Sequence, residues 1–80
     1  MRDRVYIEGD LYLSLETVAE IYRIEIVWLR EAYDTGLLGS GVVSESVICI
    51  AAAKMDRVAT IVRLHDVLGL DVETIEKFER

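Results

Sequence analysis

Cys49 is the only cysteine in a chain of 80 residues, and no other feature narrows the possible folds as much. An intramolecular disulfide needs two thiols and a multi-cysteine zinc site needs more, so neither staple is open to this chain. His65 is the only histidine, which removes a His-rich metal constellation as well. A domain of this size buries only about 60% of the surface that its unfolded chain exposes. Its stability must therefore come from apolar packing and from association. The composition agrees, since 52% hydrophobic residues sit beside 30% charged ones, a segregated pattern with more apolar surface than so small a core hides. The expectation is a homo-oligomer.

Patterning gives one domain over residues 1–80, with no proline and no linker to divide it. Arg4 to Glu8 alternates with period 2, Gly9-Asp10 reads as a turn, and Leu11 to Leu13 continues as a short strand. Ser14 is placed to cap a helix running to about Tyr22, with Leu15, Val18, Ala19 and Tyr22 on one face. A second helix spans Glu25 to Thr35, with Ile26, Leu29 and Tyr33 inward, Trp28 near the edge of that face, and Gly36 as its C′ residue. The connection Arg23-Ile24-Glu25 is short enough to make the two helices a helix-turn-helix.

Gly39-Ser40-Gly41 reads as a turn into a small wing, Val42-Val43 and Val47 to Ile50 around the bend Ser44-Glu45-Ser46. A third, long helix spans Ala52 to Leu68, with Met55, Val58, Ile61, Val62 and Leu68 in its apolar stripe, and Gly69 ends it. Asp71 caps a short fourth helix carrying Val72, Ile75 and Phe78, with Glu73–Lys77 and Glu76–Arg80 as i, i+4 pairs. This order predicts a mainly α, winged-helix-like domain with short N-terminal and wing strands.

The net charge is −6, from 15 acids against 9 Lys and Arg. Nucleic-acid binding draws on a basic face that displaces counterions from phosphate, so duplex DNA is disfavoured and a basic protein partner favoured. No apolar run approaches the roughly 18 residues of a membrane span, and Met1-Arg2-Asp3-Arg4 leads into no signal-peptide core, so the expected location is cytoplasmic. Catalytic residues, metal ligands and a cofactor cradle are not expected. Ser14 has no base at a recognisable spacing, Cys49 sits in an apolar run, and no Gly-rich phosphate loop exists.

From about Leu13 to Phe78 the order resembles the MerR-type helix-turn-helix, most closely in Trp28-Leu29-Arg30, Gly36-Leu37-Leu38 and Gly69 to Ile75. The departures are specific. Where MerR proteins follow the arginine with a tyrosine pair and an acid–arginine pair, this chain has Glu31, Ala32, Tyr33 and Asp34. Where their wing opens on a cation, Gly41-Val42-Val43-Ser44-Glu45 carries none.

That altered version resembles the CbpM family of chaperone modulators, in Trp28-Leu29-Arg30-Glu31, in Gly36-Leu37-Leu38 and in Arg63 to Asp71. The resemblance covers nearly the whole chain. It implies a small MerR-like domain that binds the J-domain of a DnaJ/CbpA-type co-chaperone and regulates its access to the Hsp70 chaperone DnaK. The related DnaK–DnaJ assembly factor implies the same kind of partner. The alternative is a DNA-binding MerR-like or excisionase-like regulator module, an analogy of fold alone.

The candidate partner-binding residues are Glu20, Trp28, Arg30, Glu31 and Asp34. The acids would meet a basic helix, or else form a solvated face closed by local Glu20–Arg23 and Arg30–Asp34 pairs. Trp28 would anchor an interface or pack under the wing. Cys49 reads as a small buried hydrophobe and His65 as a partly exposed polar residue.

Overall fold

A computed structural model of the chain describes residues 4–79. Two hairpins, β1 (Arg4–Ile7) with β2 (Asp10–Ser14) and β3 (Val42–Ser44) with β4 (Val47–Ala51), flank a helical pair, α1 (Leu15–Tyr22) and α2 (Ile26–Asp34). A 3₁₀ turn over Ala52–Lys54 leads into α3 (Met55–Leu68), and α4 (Val72–Glu79) closes the chain.

The mainly α winged helix-turn-helix expected from the sequence is not what forms. β2 pairs with β4 in antiparallel register, Tyr12↔Ala51, Leu13↔Ile50 and Ser14↔Cys49. That pairing merges the N-terminal hairpin and the wing into one curled four-stranded sheet, ordered β1-β2-β4-β3. The domain is therefore mixed α/β, with the α1–α2 pair and its Arg23–Glu25 connection set against a sheet. The physical reason lies in β2 and β4 themselves. Both are rich in residues that suit a pleated, half-buried surface, and each needs a partner for its second edge.

Both hairpins turn on two residues of positive φ, Glu8 (51°) with Gly9 (85°), and Glu45 (52°) with Ser46 (67°). This is the backbone twist that tight two-residue hairpins demand. The first turn thus falls one residue earlier than Gly9-Asp10, and Asp10 belongs to β2, opposite Ile7. Ser14 caps α1 as expected, accepting from the Thr17 amide at 3.1 Å while its hydroxyl donates to Thr17 Oγ1 at 2.9 Å. Asp71 caps α4 in the same way, Oδ1 accepting from the Thr74 amide at 2.8 Å. Hydrogen bonding from Thr74, its side chain first and its amide second, holds the Asp71 carboxyl below the usual carboxylate range. α1 ends on Arg23 in the left-handed region (φ 55°), whose N–H reaches back to the Ala19 and Glu20 carbonyls.

The core lies where α1, α2, α3 and α4 meet the centre of the sheet. Leu15, Leu29, Leu38, Ile50, Ile61 and Ile75 are its largest fully buried side chains. Truncating one of them to alanine costs about 2–5 kcal/mol, a large share of a small domain's stability. Ala32, not Ile26 or Tyr33, is the second fully buried side chain on the inner face of α2. Leu68, placed by sequence in the apolar stripe of α3, is 63% exposed, and Phe78 on α4 is 71% exposed. Of the two fourth-helix ion pairs, Glu73–Lys77 forms at 3.8 Å, and Glu76–Arg80 lies outside the described residues.

Candidate partner-binding face

Helix α2 turns two chemically different sides to its surroundings. Leu29 and Ala32 point into the core, while Val27, Arg30, Glu31 and Asp34, spaced i, i+3, i+4 and i+7, are exposed. That spacing makes one continuous stripe along the helix. On α1 the exposed residues are Glu20 and Ile21. Glu16 joins Ile26, Val27 and Arg30 in lining a shallow groove of about 330 Å³ between the two helices. Glu20 follows Glu16 by one turn on the same side of α1. The face thus combines an apolar floor with acids from both helices.

The local pairs that would close these charges do not form. Among the described residues, neither Glu20–Arg23 nor Arg30–Asp34 approaches within ion-pair distance, and the one such contact is Glu73–Lys77 on α4. Glu20, Glu31 and Asp34 therefore present unneutralised carboxylates. Val27, 74% exposed, and Ile21, 54% exposed, are the exposed large apolar side chains of the two helices. Sequence reasoning found the acids but missed these two residues, although the stripe beginning at Val27 is legible from its spacing. Glu16, in the first turn of α1, walls the groove.

Trp28 takes a different place. It does not pack under the wing. Its ring stacks on His65 of α3, with centroids 4.2 Å apart and planes inclined by 24°. Helical geometry puts it about 100° round from Val27, on the flank of the stripe nearest α3. His65 is half-buried, and its Nδ1 lies 2.8 Å from the Leu70 carbonyl oxygen. A carbonyl only accepts, so Nδ1 carries the proton. One ring thus ties α2, α3 and the turn into α4 together. Trp28 with Arg23, Ile24, Glu25, His65 and Asp66 lines a recess of about 350 Å³. Its indole Nε1 is buried without a hydrogen-bond partner among the described residues.

The cations near the wing are committed elsewhere. Lys54 Nζ donates to the Ser40 carbonyl at 2.8 Å, and Arg57 Nε donates to the Leu37 carbonyl at 2.8 Å. Both hold the loop between α2 and β3 against the start of α3. Cys49 is fully buried in β4, and burial, followed by the Glu16 carboxylate, pushes its thiol pKa up, the reverse of activation. No described helix is long and apolar enough to cross a membrane. No group of His, Cys, Asp and Glu among the described residues is arranged to hold a metal ion. No protein-family model, curated protein or solved structure matches the chain.

Proposed function

We propose that this chain is a chaperone modulator that uses its α1–α2 face to bind the J-domain of a DnaJ/CbpA-type co-chaperone, and so regulates that co-chaperone's encounter with DnaK. The observation that carries the reading is the exposed stripe Val27-Arg30-Glu31-Asp34, with Glu20 and Ile21 exposed on α1, on which no carboxylate is paired with a cation among the described residues. An acid-fringed apolar strip fits a basic amphipathic helix, because opposite fields steer the encounter and the apolar residues supply contact area. The resemblance of Trp28 to Glu31 and of Arg63 to Asp71 to the CbpM family points to the same partner. Its place of action is then the cytoplasm, beside DnaK.

Duplex DNA fits the face less well. Arg30 is the one cation on the α2 stripe, the wing carries none, and Lys54 and Arg57 are bonded to carbonyls of their own chain. The test is charge reversal of Glu20→Lys, Glu31→Lys and Asp34→Lys together, with calorimetry against the cognate J-domain. All three residues are exposed, so the fold tolerates the change. The expected result is a loss of affinity of about tenfold or more with an unchanged circular dichroism spectrum. Unchanged affinity would remove the α1–α2 face from the interaction.

A further inference from the structure

We propose that Glu16 and Arg30 are the specificity-determining residues of the α1–α2 face, Glu16 taking a lysine or arginine of the docked partner helix and Arg30 an aspartate or glutamate. The inference rests on the function proposed above and goes past it. That function asks only for a basic partner surface, whereas the groove asks for an acid within it. The groove holds about 330 Å³ and is walled by Glu16 of α1 and by Ile26, Val27 and Arg30 of α2. Such a volume stands at the foot of the roughly 300–1,000 Å³ range of small-ligand sites, so it admits side chains of a helix laid across its mouth and not the helix itself.

The charges that wall the groove select its occupant. One helix contributes an anion and the other a cation, and among the described residues no salt bridge joins Glu16 to Arg30 or either of them to a third residue. The two remaining walls are apolar, Ile26 half-buried and Val27 exposed. A partner that offered only cations would cover Arg30 with like charge, and a charge covered without a counter-ion costs affinity. An acid on the partner removes that cost. Glu16 also differs from Glu20, Glu31 and Asp34, which are exposed, in being half-buried. Its carboxylate is near enough to the buried Cys49 of β4 to help push that thiol's pKa up, second to burial itself. A charge set that far into the fold is screened less by salt than its exposed neighbours. The exposed acids therefore steer the approach, while Glu16 and Arg30 fix how the partner helix lies. A second copy of this chain suits the groove less, because it would bring Glu20, Glu31 and Asp34 against their own like charges.

Calorimetry of the whole chain with the cognate J-domain protein, at about 0.1 M salt, tests this with variants of both residues. Arg30→Glu makes the face more acidic, so a field acting alone would tighten binding. The proposal expects the opposite, binding weaker by about tenfold or more, with Arg30→Gln changed in the same direction and helical dichroism unchanged in both. Glu16→Gln weakens binding about fivefold or more, and its loss persists at about 0.5 M salt, where the loss from reversing Glu20, Glu31 and Asp34 has shrunk. Arg30→Glu or Glu16→Gln chains that bind as tightly as the parent would overturn the inference and leave the proposed function standing. Self-association of the chain in sedimentation equilibrium that either substitution abolishes would give the groove to a second copy and overturn it too. A parent chain that does not bind the J-domain protein overturns the proposed function, and this inference with it.

Discussion

Replacing Gly41 with alanine would put a Cβ 2.5 Å from the Cys49 carbonyl oxygen and 2.9 Å from Cε1 of Tyr33. Gly41 does not have positive φ, so the requirement for glycine here is steric and not conformational. The nearer obstacle is backbone, and it cannot rotate aside. Cys49 pairs with Val42 in the β3–β4 ladder, so relieving the clash means moving the wing away from β4 or from the Tyr33 ring. Overpacking of a well-filled site costs about 1–3 kcal/mol. A carbonyl fixed in a ladder puts Gly41→Ala near the top of that range, about 3 kcal/mol. For a domain of this size that lowers the melting temperature by roughly 10–20 °C.

Gly9→Ala is the matched control. A Cβ there meets nothing within 4 Å, but φ is +85°, so the cost is backbone strain alone, about 1–2 kcal/mol. Thermal melts followed by circular dichroism compare the two variants directly. Adding Tyr33→Ala to Gly41→Ala should rescue little, because the carbonyl contact remains. A Gly41→Ala variant that melts within a few degrees of the parent would refute the close approach of Gly41 to the Cys49 carbonyl.

Three further outcomes follow from single contacts. His65→Ala removes both the stack on Trp28 and the bond to the Leu70 carbonyl, so it should cost about 1–2 kcal/mol and shift the emission of the only tryptophan to the red; an unchanged spectrum would contradict the stack. Asp71 has a lowered pKa from the Thr74 bonds, so its cap supports folding above the unfolded carboxyl pKa of about 3.9 and is lost as pH falls through the lower folded value. The melting-temperature gap between parent and Asp71→Ala should hold from neutral pH to about pH 5 and close in stronger acid, and a gap independent of pH would count against the cap. Cys49 should react with a thiol reagent only as fast as the chain opens, and prompt reaction in the native state would contradict its burial.

The helices were legible because their signals are local. Ser14, Gly36, Gly69 and Asp71 each mark a terminus by its own chemistry, and all four act where they were expected. The sheet was not legible in the same way. The β2–β4 pairing joins Leu13 to Ile50, far apart in sequence, and no turn residue or periodicity announces it. Missing that single pairing turned a mixed α/β domain into a mainly α one. The first hairpin misled by one residue, because a positive φ at Glu8 is unusual for a residue with a Cβ.

The candidate face divides in the same way. The stripe from Val27 to Asp34 follows from helical spacing, so its acids could be named from sequence. That they lack ion-pair partners depends on rotamers that spacing does not determine. Trp28 lay at the edge of an apolar face, and only the docking of α3 decides that it meets His65.

Calorimetric titration of the purified chain with the cognate J-domain protein, at protein concentrations of tens of micromolar and repeated from about 0.1 M to 1 M salt, tests the central claim most directly. The account predicts saturable binding that weakens as salt rises, because the Debye length falls from roughly 10 Å to about 3 Å over that range and the carboxylates of the α1–α2 face have no cation partners among the described residues. Absence of binding at the lowest salt would contradict the account.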